Sequence, residues 1–193
     1  GERAGRPYLQ FRLRARWGAD ESDVAAGRGR SDEGGEVGVG VHRGWLRLSG
    51  DTLTTSEAQS VDAHIGLHHG LELRGEAYRG RALAGLGGGG IGQSFGVPAA
   101  GAPFGPPLRD AGGWMQLNWQ AHSTLLTGAG CGIDVADSRD RPERRRNESC
   151  AAHLLWRPAQ PLLFGVEFRH LRTTYATRTA SGNHINFSFG FEL

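Results

Sequence analysis

Period-two alternation constrains this chain more than any other feature. In residues 8–17, Leu9, Phe11, Leu13, Ala15 and Trp17 share one face, while Gln10, Arg12, Arg14 and Arg16 share the other. In residues 183–193, Ile185, Phe187, Phe189, Phe191 and Leu193 point away from His184, Asn186, Ser188, Gly190 and Glu192. Neighbouring side chains of a strand leave on opposite sides, so such alternation marks a strand between two unlike environments. A soluble amphipathic strand gives the same pattern, so one segment decides nothing.

Eight further segments repeat it: 36–41, 45–52, 60–67, 71–79, 113–119, 124–134, 146–156 and 162–175. In 45–52, Leu46 and Leu48 oppose Arg47 and Ser49; in 60–67, Val61, Ala63, Ile65 and Leu67 oppose Asp62 and His64. The expectation is an all-β chain of about ten antiparallel up-and-down strands, most of them long enough to cross a bilayer when tilted. Short connections (42–44, 68–70, 120–123, 157–161) alternate with long ones (18–35, 53–59, 80–112, 138–145, 176–182). A soluble sandwich has no reason to sort its loops by length; a transmembrane barrel has short periplasmic turns and long extracellular loops. An even strand count would leave both termini on the short-turn side. Trp17, Trp45, Trp114, Trp119 and Trp156 fall near the expected strand ends, where interfacial rings form girdles. In lipid every backbone N–H and C=O needs a partner, so 8–17 is expected to pair with 183–193 and close the barrel.

Composition agrees. The 193 residues suffice for one domain, and 38% hydrophobic content is low for a packed soluble core. Many of the 32 glycines lie inside expected strands, which weakens a soluble sheet but makes room in a narrow barrel. The mean hydropathy is −0.43, and no apolar run reaches the ~18 residues of a membrane helix. The basic residues are all arginine, spread along the chain, and the net charge of +2 gives no field for nucleic acid. Residues Gly1 to Arg6 lack the apolar stretch of a secretion signal, as expected of a mature or trimmed form. The expectation is a single barrel domain over 1–193; because its first strand starts so early, the chain could instead be the C-terminal part of a larger barrel.

The final strand carries a more specific signal. An alternating last strand ending in a terminal aromatic or large apolar residue, here Phe191-Glu192-Leu193, resembles that of Gram-negative outer-membrane β-barrel proteins of porin-like kind. Leucine stands where phenylalanine is usual. The resemblance implies an outer-membrane location and recognition of the last strand by the barrel-assembly machinery. It also implies contact with outer-membrane lipid and lipopolysaccharide. It names no narrower family.

Alternation assigns Arg12, Arg14, Arg16, Arg47, Asp62, His64, Glu72, Arg74, Glu76, Glu167 and Arg169 to the lumen. An arginine-biased lumen would favour small anionic solutes; the same residues could instead form a salt-bridge ladder that fills a narrow barrel. Three arginines on one strand need acids, water or an anion nearby. The glycine- and proline-rich segment 80–112 lacks a following helix and a Gly-Lys-Ser/Thr, so it is no phosphate loop. It could fold inward as a constriction or stand outside as a loop. Cys131 and Cys150 flank one connection symmetrically, and an oxidising exterior would let them form a disulfide. No catalytic, metal or cofactor set is expected. Asp62-x-His64 matches the Asp-x-His element of ten-stranded outer-membrane proteases, but no second acid pair completes it. Three readings remain at this point: a channel or solute-binding barrel, a closed barrel binding partners through its loops, and a hydrolase using Asp62 and His64.

Overall fold

A computed structural model describes residues 5–18, 34–48, 52–84 and 91–191. They form nine strands: β1 (Leu9–Trp17), β2 (Gly35–Arg47), β3 (Leu53–Gly66), β4 (Leu71–Arg81), β5 (Arg109–His122), β6 (Leu125–Ala136), β7 (Arg144–Trp156), β8 (Leu162–Tyr175) and β9 (Thr179–Phe191). Each pairs antiparallel with the next in one sheet ordered β1 to β9. The described residues include no helix able to cross a membrane.

The strand count corrects the expectation of ten. Segment 36–41 and the first residues, 45–47, of segment 45–52 belong to one strand, β2, and the expected turn at 42–44 is ladder: His42, Arg43 and Gly44 pair with Ala58, Glu57 and Ser56. Gly44 is there for close approach and not for a turn, since a Cβ would lie 2.5 Å from the Tyr8 ring. Segment 53–59, expected as a loop, is the first half of β3. Its Thr54, Thr55 and Ser56 look loop-like by polarity, yet threonine suits a strand once a partner strand is present.

One strand fewer changes the rims. The β1–β2, β3–β4, β5–β6 and β7–β8 connections leave the strands at one rim; the β2–β3, β4–β5, β6–β7 and β8–β9 connections leave them at the other. The two longest are therefore on opposite rims, not on the same one. With nine antiparallel strands, β1 and β9 also run in the same direction. They cannot form the antiparallel seam expected between the two ends of the chain, and no ladder joins them among the described residues. Residues 192–193 of the expected last strand lie outside the described residues.

The register gives the sheet two faces. Trp17, Ile65, Leu73, Leu117, Phe168 and Ile185 lie along one cross-strand row of an apolar face. Its side chains are open to the surroundings: Phe187 is 82% exposed, Phe11 64% and Met115 63%. No soluble sheet leaves such a surface uncovered, because burying it would release roughly 25 cal/mol per Å². The opposite face carries Arg12, Arg14, Arg16, Glu36, Asp62 and Glu72.

A small core lies not in the sheet but in a connection. Ile91 and Leu108 are fully buried, with Ala136 beside them. Residues 91–108 are clipped to the β6–β7 connection: Val97 N–H donates to the Arg141 carbonyl at 2.8 Å, and Arg144 N–H to Gln93 Oε1 at 3.2 Å. Gly96 packs against Asp140 so closely that a Cβ would lie 1.6 Å from its carbonyl oxygen. Arg109 completes the clip with Nε and Nη2 bonds to the buried Asp140 carboxylate at 2.8 and 2.7 Å. Those bonds hold the Asp140 carboxyl below the usual carboxylate range against the opposing effect of its burial. Asp137 is lowered likewise, first by the Arg139 side chain and then by the Arg139 backbone N–H. The glycine-rich residues 85–90 lie outside the described residues.

Candidate functional site: the charged face of the sheet

Strict period two, with no bulge inside β1 to β4, sends Arg12, Arg14, Arg16, Asp62, His64, Glu72, Arg74 and Glu76 to the charged face. Glu167 and Arg169 of β8 lie on the same face. Arg47 does not. With β2 continuous, Arg47 has the parity of Val41, Arg43 and Trp45 and stands on the apolar face, opposite Leu53. The expected turn at 42–44 had reset the alternation; the unbroken strand keeps it.

The three arginines of β1 converge on acids from β2 and β3. Arg12 Nη2 lies 2.9 Å from Glu36 Oε1 and 2.5 Å from Asp62 Oδ2. Arg14 Nη1 is 3.5 Å from Glu36 Oε2, and Arg16 Nε also bonds that oxygen. Gly38, between these strands, leaves the space: a Cβ there would meet Asp62 at 2.7 Å and Arg12 at 3.0 Å. Glu72 gathers a second knot. His64 Nε2 lies 2.9 Å from it, Arg74 bonds it, and Asn118 Nδ2 donates to it at 3.0 Å. Asp62 and His64 thus turn to different partners, Arg12 and Glu72, rather than to each other. A third pair joins Arg169 and Glu167 at 2.9 Å, with Asn186 Nδ2 donating to Glu167 at 3.2 Å.

Across β5 to β7 the same face changes character. Gln116 and Asn118 of β5 stand beside Gly128, Gly130 and Gly132 of β6 and Ser149 and Ala151 of β7. These glycines let neighbours lie flat: a Cβ on Gly128 would come 2.4 Å from Asn118 Oδ1 and 2.7 Å from His153 Cε1. The result is a recess of about 440 Å³, bordered by Trp114, Gln116, His153, Glu167 and Arg169. Trp114 lies inside β5 on this face, not at a strand end. Glu36, Trp114, Gln116, Asn118 and His153 were not among the expected lining residues. Each was available from parity, Glu36 from Gly38 and Gly40, and Trp114 from Met115.

Cys131 and Cys150 sit directly opposite each other on the apolar face and are bonded, with Cα atoms 4.0 Å apart. They lie within the β6–β7 ladder and not at its loop. Among the described residues, no three His, Cys, Asp or Glu side chains are grouped to hold a metal ion.

The described residues thus form one all-β, up-and-down antiparallel sheet with an exposed apolar face and a face that carries the ionic clusters. The chain is similar to a solved structure of the outer membrane channel DcaP of Acinetobacter baumannii, with a TM-score of 0.72 at 13% identity. The match covers 95% of this chain and 50% of that one, so this chain spans about half its length. No family model matches the sequence. No curated protein matches it either.

Proposed function

We propose that this sheet is part of the wall of a porin-like channel in the bacterial outer membrane, with its charged face lining an aqueous path for small polar solutes. One observation carries the reading: large apolar side chains stay exposed on one face of every strand but β4, while ion pairs of β1 to β4 and β8 occupy the other. Lipid suits the first and water the second. Bacterial single-chain barrels have even strand counts. The parallel course of β1 and β9 therefore calls for further strands between them to complete the barrel. The likeness to a channel twice as long supports that. The free edge of β9 is the element that would pair first with the assembly machinery.

The lining has a preference for small anions near β1. Arg12, Arg14 and Arg16 stand together on this face beside Glu36 and Asp62. Arg14 holds the longest of these contacts and is the group most available to a passing anion. Single-channel recording in a planar bilayer, on a refolded barrel that includes these further strands, tests this. Steady steps with a reversal potential displaced toward anion permeability are expected. A silent bilayer from protein with barrel-like, heat-modifiable gel mobility would overturn it. That result would favour the second reading, a closed barrel acting through its loops, for which the ordered clip of 91–108 onto the β6–β7 connection speaks.

A further inference from the structure

The apolar face does not stay apolar to both rims. On β2 the outward residues run Val37, Val39, Val41 and then Arg43; on β3, read back from Val61, they become Gln59 and Glu57; on β4, after Ala77, they become Arg79 and Arg81. The change occurs toward the same rim on all three strands, the rim that carries the long connection 82–108. Register sets Arg43 opposite Glu57 and Glu57 opposite Arg81, with Gln59 opposite Arg79 in the adjacent row.

The cations here outnumber the acids. Glu57 is shared, at 3.6 Å from Arg43 Nε and 3.1 Å from Arg81 Nη2. Among the described residues Arg79 has a neutral partner: its Nε and Nη2 donate to Gln59 Oε1 at 3.0 and 2.8 Å. Three guanidiniums stand against one carboxylate among the described residues of this outward surface. Arg43 also lies over the Trp45 ring, 6.0 Å from its centroid, which orients it along the wall. Between these groups is a cleft of about 410 Å³ lined by Val41, Arg43, Glu57, Gln59 and Arg79. Its apolar side continues into Val39, Val61 and Phe11, and its charged side faces the rim.

We propose that this cleft docks a phosphorylated glycolipid of the outer leaflet, a lipopolysaccharide, with acyl chains along Val39, Val41 and Val61 and headgroup phosphates on Arg43, Arg79 and Arg81. The inference rests on the outer-membrane reading above. Guanidinium groups bind phosphate oxygens through paired N–H donors, and a headgroup with several phosphates can engage more than one of them. The mixture of greasy wall and cationic edge fits a lipid at the membrane boundary rather than a free anion. It also assigns the rim of the 82–108 connection to the cell exterior.

The test uses the full chain refolded in detergent, purified lipopolysaccharide as probe, and retention of that lipid after gel filtration as the measurement. Heat-modifiable gel mobility checks folding of each sample. The wild type is expected to retain lipopolysaccharide, less so in high salt. The triple variant R43Q/R79Q/R81Q, and wild type given dephosphorylated lipopolysaccharide, should each lose about tenfold or more in retention. A folded triple variant that retains as much as wild type overturns the proposal. So does equal retention of phosphatidylglycerol, which would make this an unspecific anionic surface. If the wild type fails to float with vesicles or to show heat-modifiable mobility, the outer-membrane reading falls and takes the docking site with it.

Discussion

The charged face is built in two different ways. Across β1 to β4 it is knit by ions: one carboxylate, Glu36, serves three arginines, and another, Glu72, serves His64, Arg74 and Asn118. Across β5 to β7 it is nearly bare, with three glycines in alternate positions of β6 and neutral amides beside them. The bare half is the one that carries the covalent cross-strand bond, Cys131–Cys150. Where cross-strand side-chain pairs are few, a sheet loses the contacts that set its register. A disulfide supplies that restraint from the opposite face and leaves the recess open. The ion-rich half needs no such bond, because its register is already fixed by which arginine meets which acid.

The largest expected effect comes from removing that bond. Replacing both Cys131 and Cys150 with serine should destabilise the sheet by about 2–4 kcal/mol, read as an earlier loss of heat-modifiable mobility. If the doubly substituted protein melts with wild type, the bare half holds its register unaided and the comparison fails. Next in size is Gly130→Val, where a Cβ would lie 2.5 Å from the Met115 carbonyl oxygen and 2.9 Å from Gln116. Backbone has to move, so a cost of about 1–3 kcal/mol is expected in urea unfolding, together with a smaller conductance as the recess fills. The matching change in the ionic half, Glu36→Gln, should act on selectivity more than on stability, since its arginines are about half exposed. Freed of their shared carboxylate, they should move the reversal potential further toward anions; an unchanged potential would remove β1 from the path.

The smallest effect concerns pH at the 91–108 clip. The Asp140 carboxyl is held below its ordinary value, so its bond to Arg109 stabilises the clip fully above the unfolded-state value of about 4. That contribution is lost only as pH falls through the lower folded value. Proteolysis of the 91–108 segment should stay slow from neutral pH down to about 4 and quicken below it. Asp140→Asn should quicken it at every pH and flatten the profile.

Much of this two-faced sheet was legible in the sequence. Ten of the eleven residues that alternation assigned to the lumen share one face of the sheet, because a strand without bulges cannot change parity. The exception, Arg47, shows what parity depends on. Reading His42-Arg43-Gly44 as a turn restarted the count, and only the ladder to Ala58, Glu57 and Ser56 shows that no restart occurs. Gly44 looked like a turn residue but makes space for the Tyr8 ring. Glu36 was visible in the sequence as a strand-end acid. Its service to three arginines was not, since that depends on the register between β1 and β2 and on Gly38 leaving space.

The sequence by itself determined that this chain is made of strands and which side chains face which way, since both follow from a two-residue repeat that is local to each segment. Tertiary structure alone decided how many strands there are, which rim each connection occupies, and which acid answers which arginine. Those depend on pairing between segments far apart in the chain, and a shift of one residue or one strand leaves the local pattern unchanged while moving every partner.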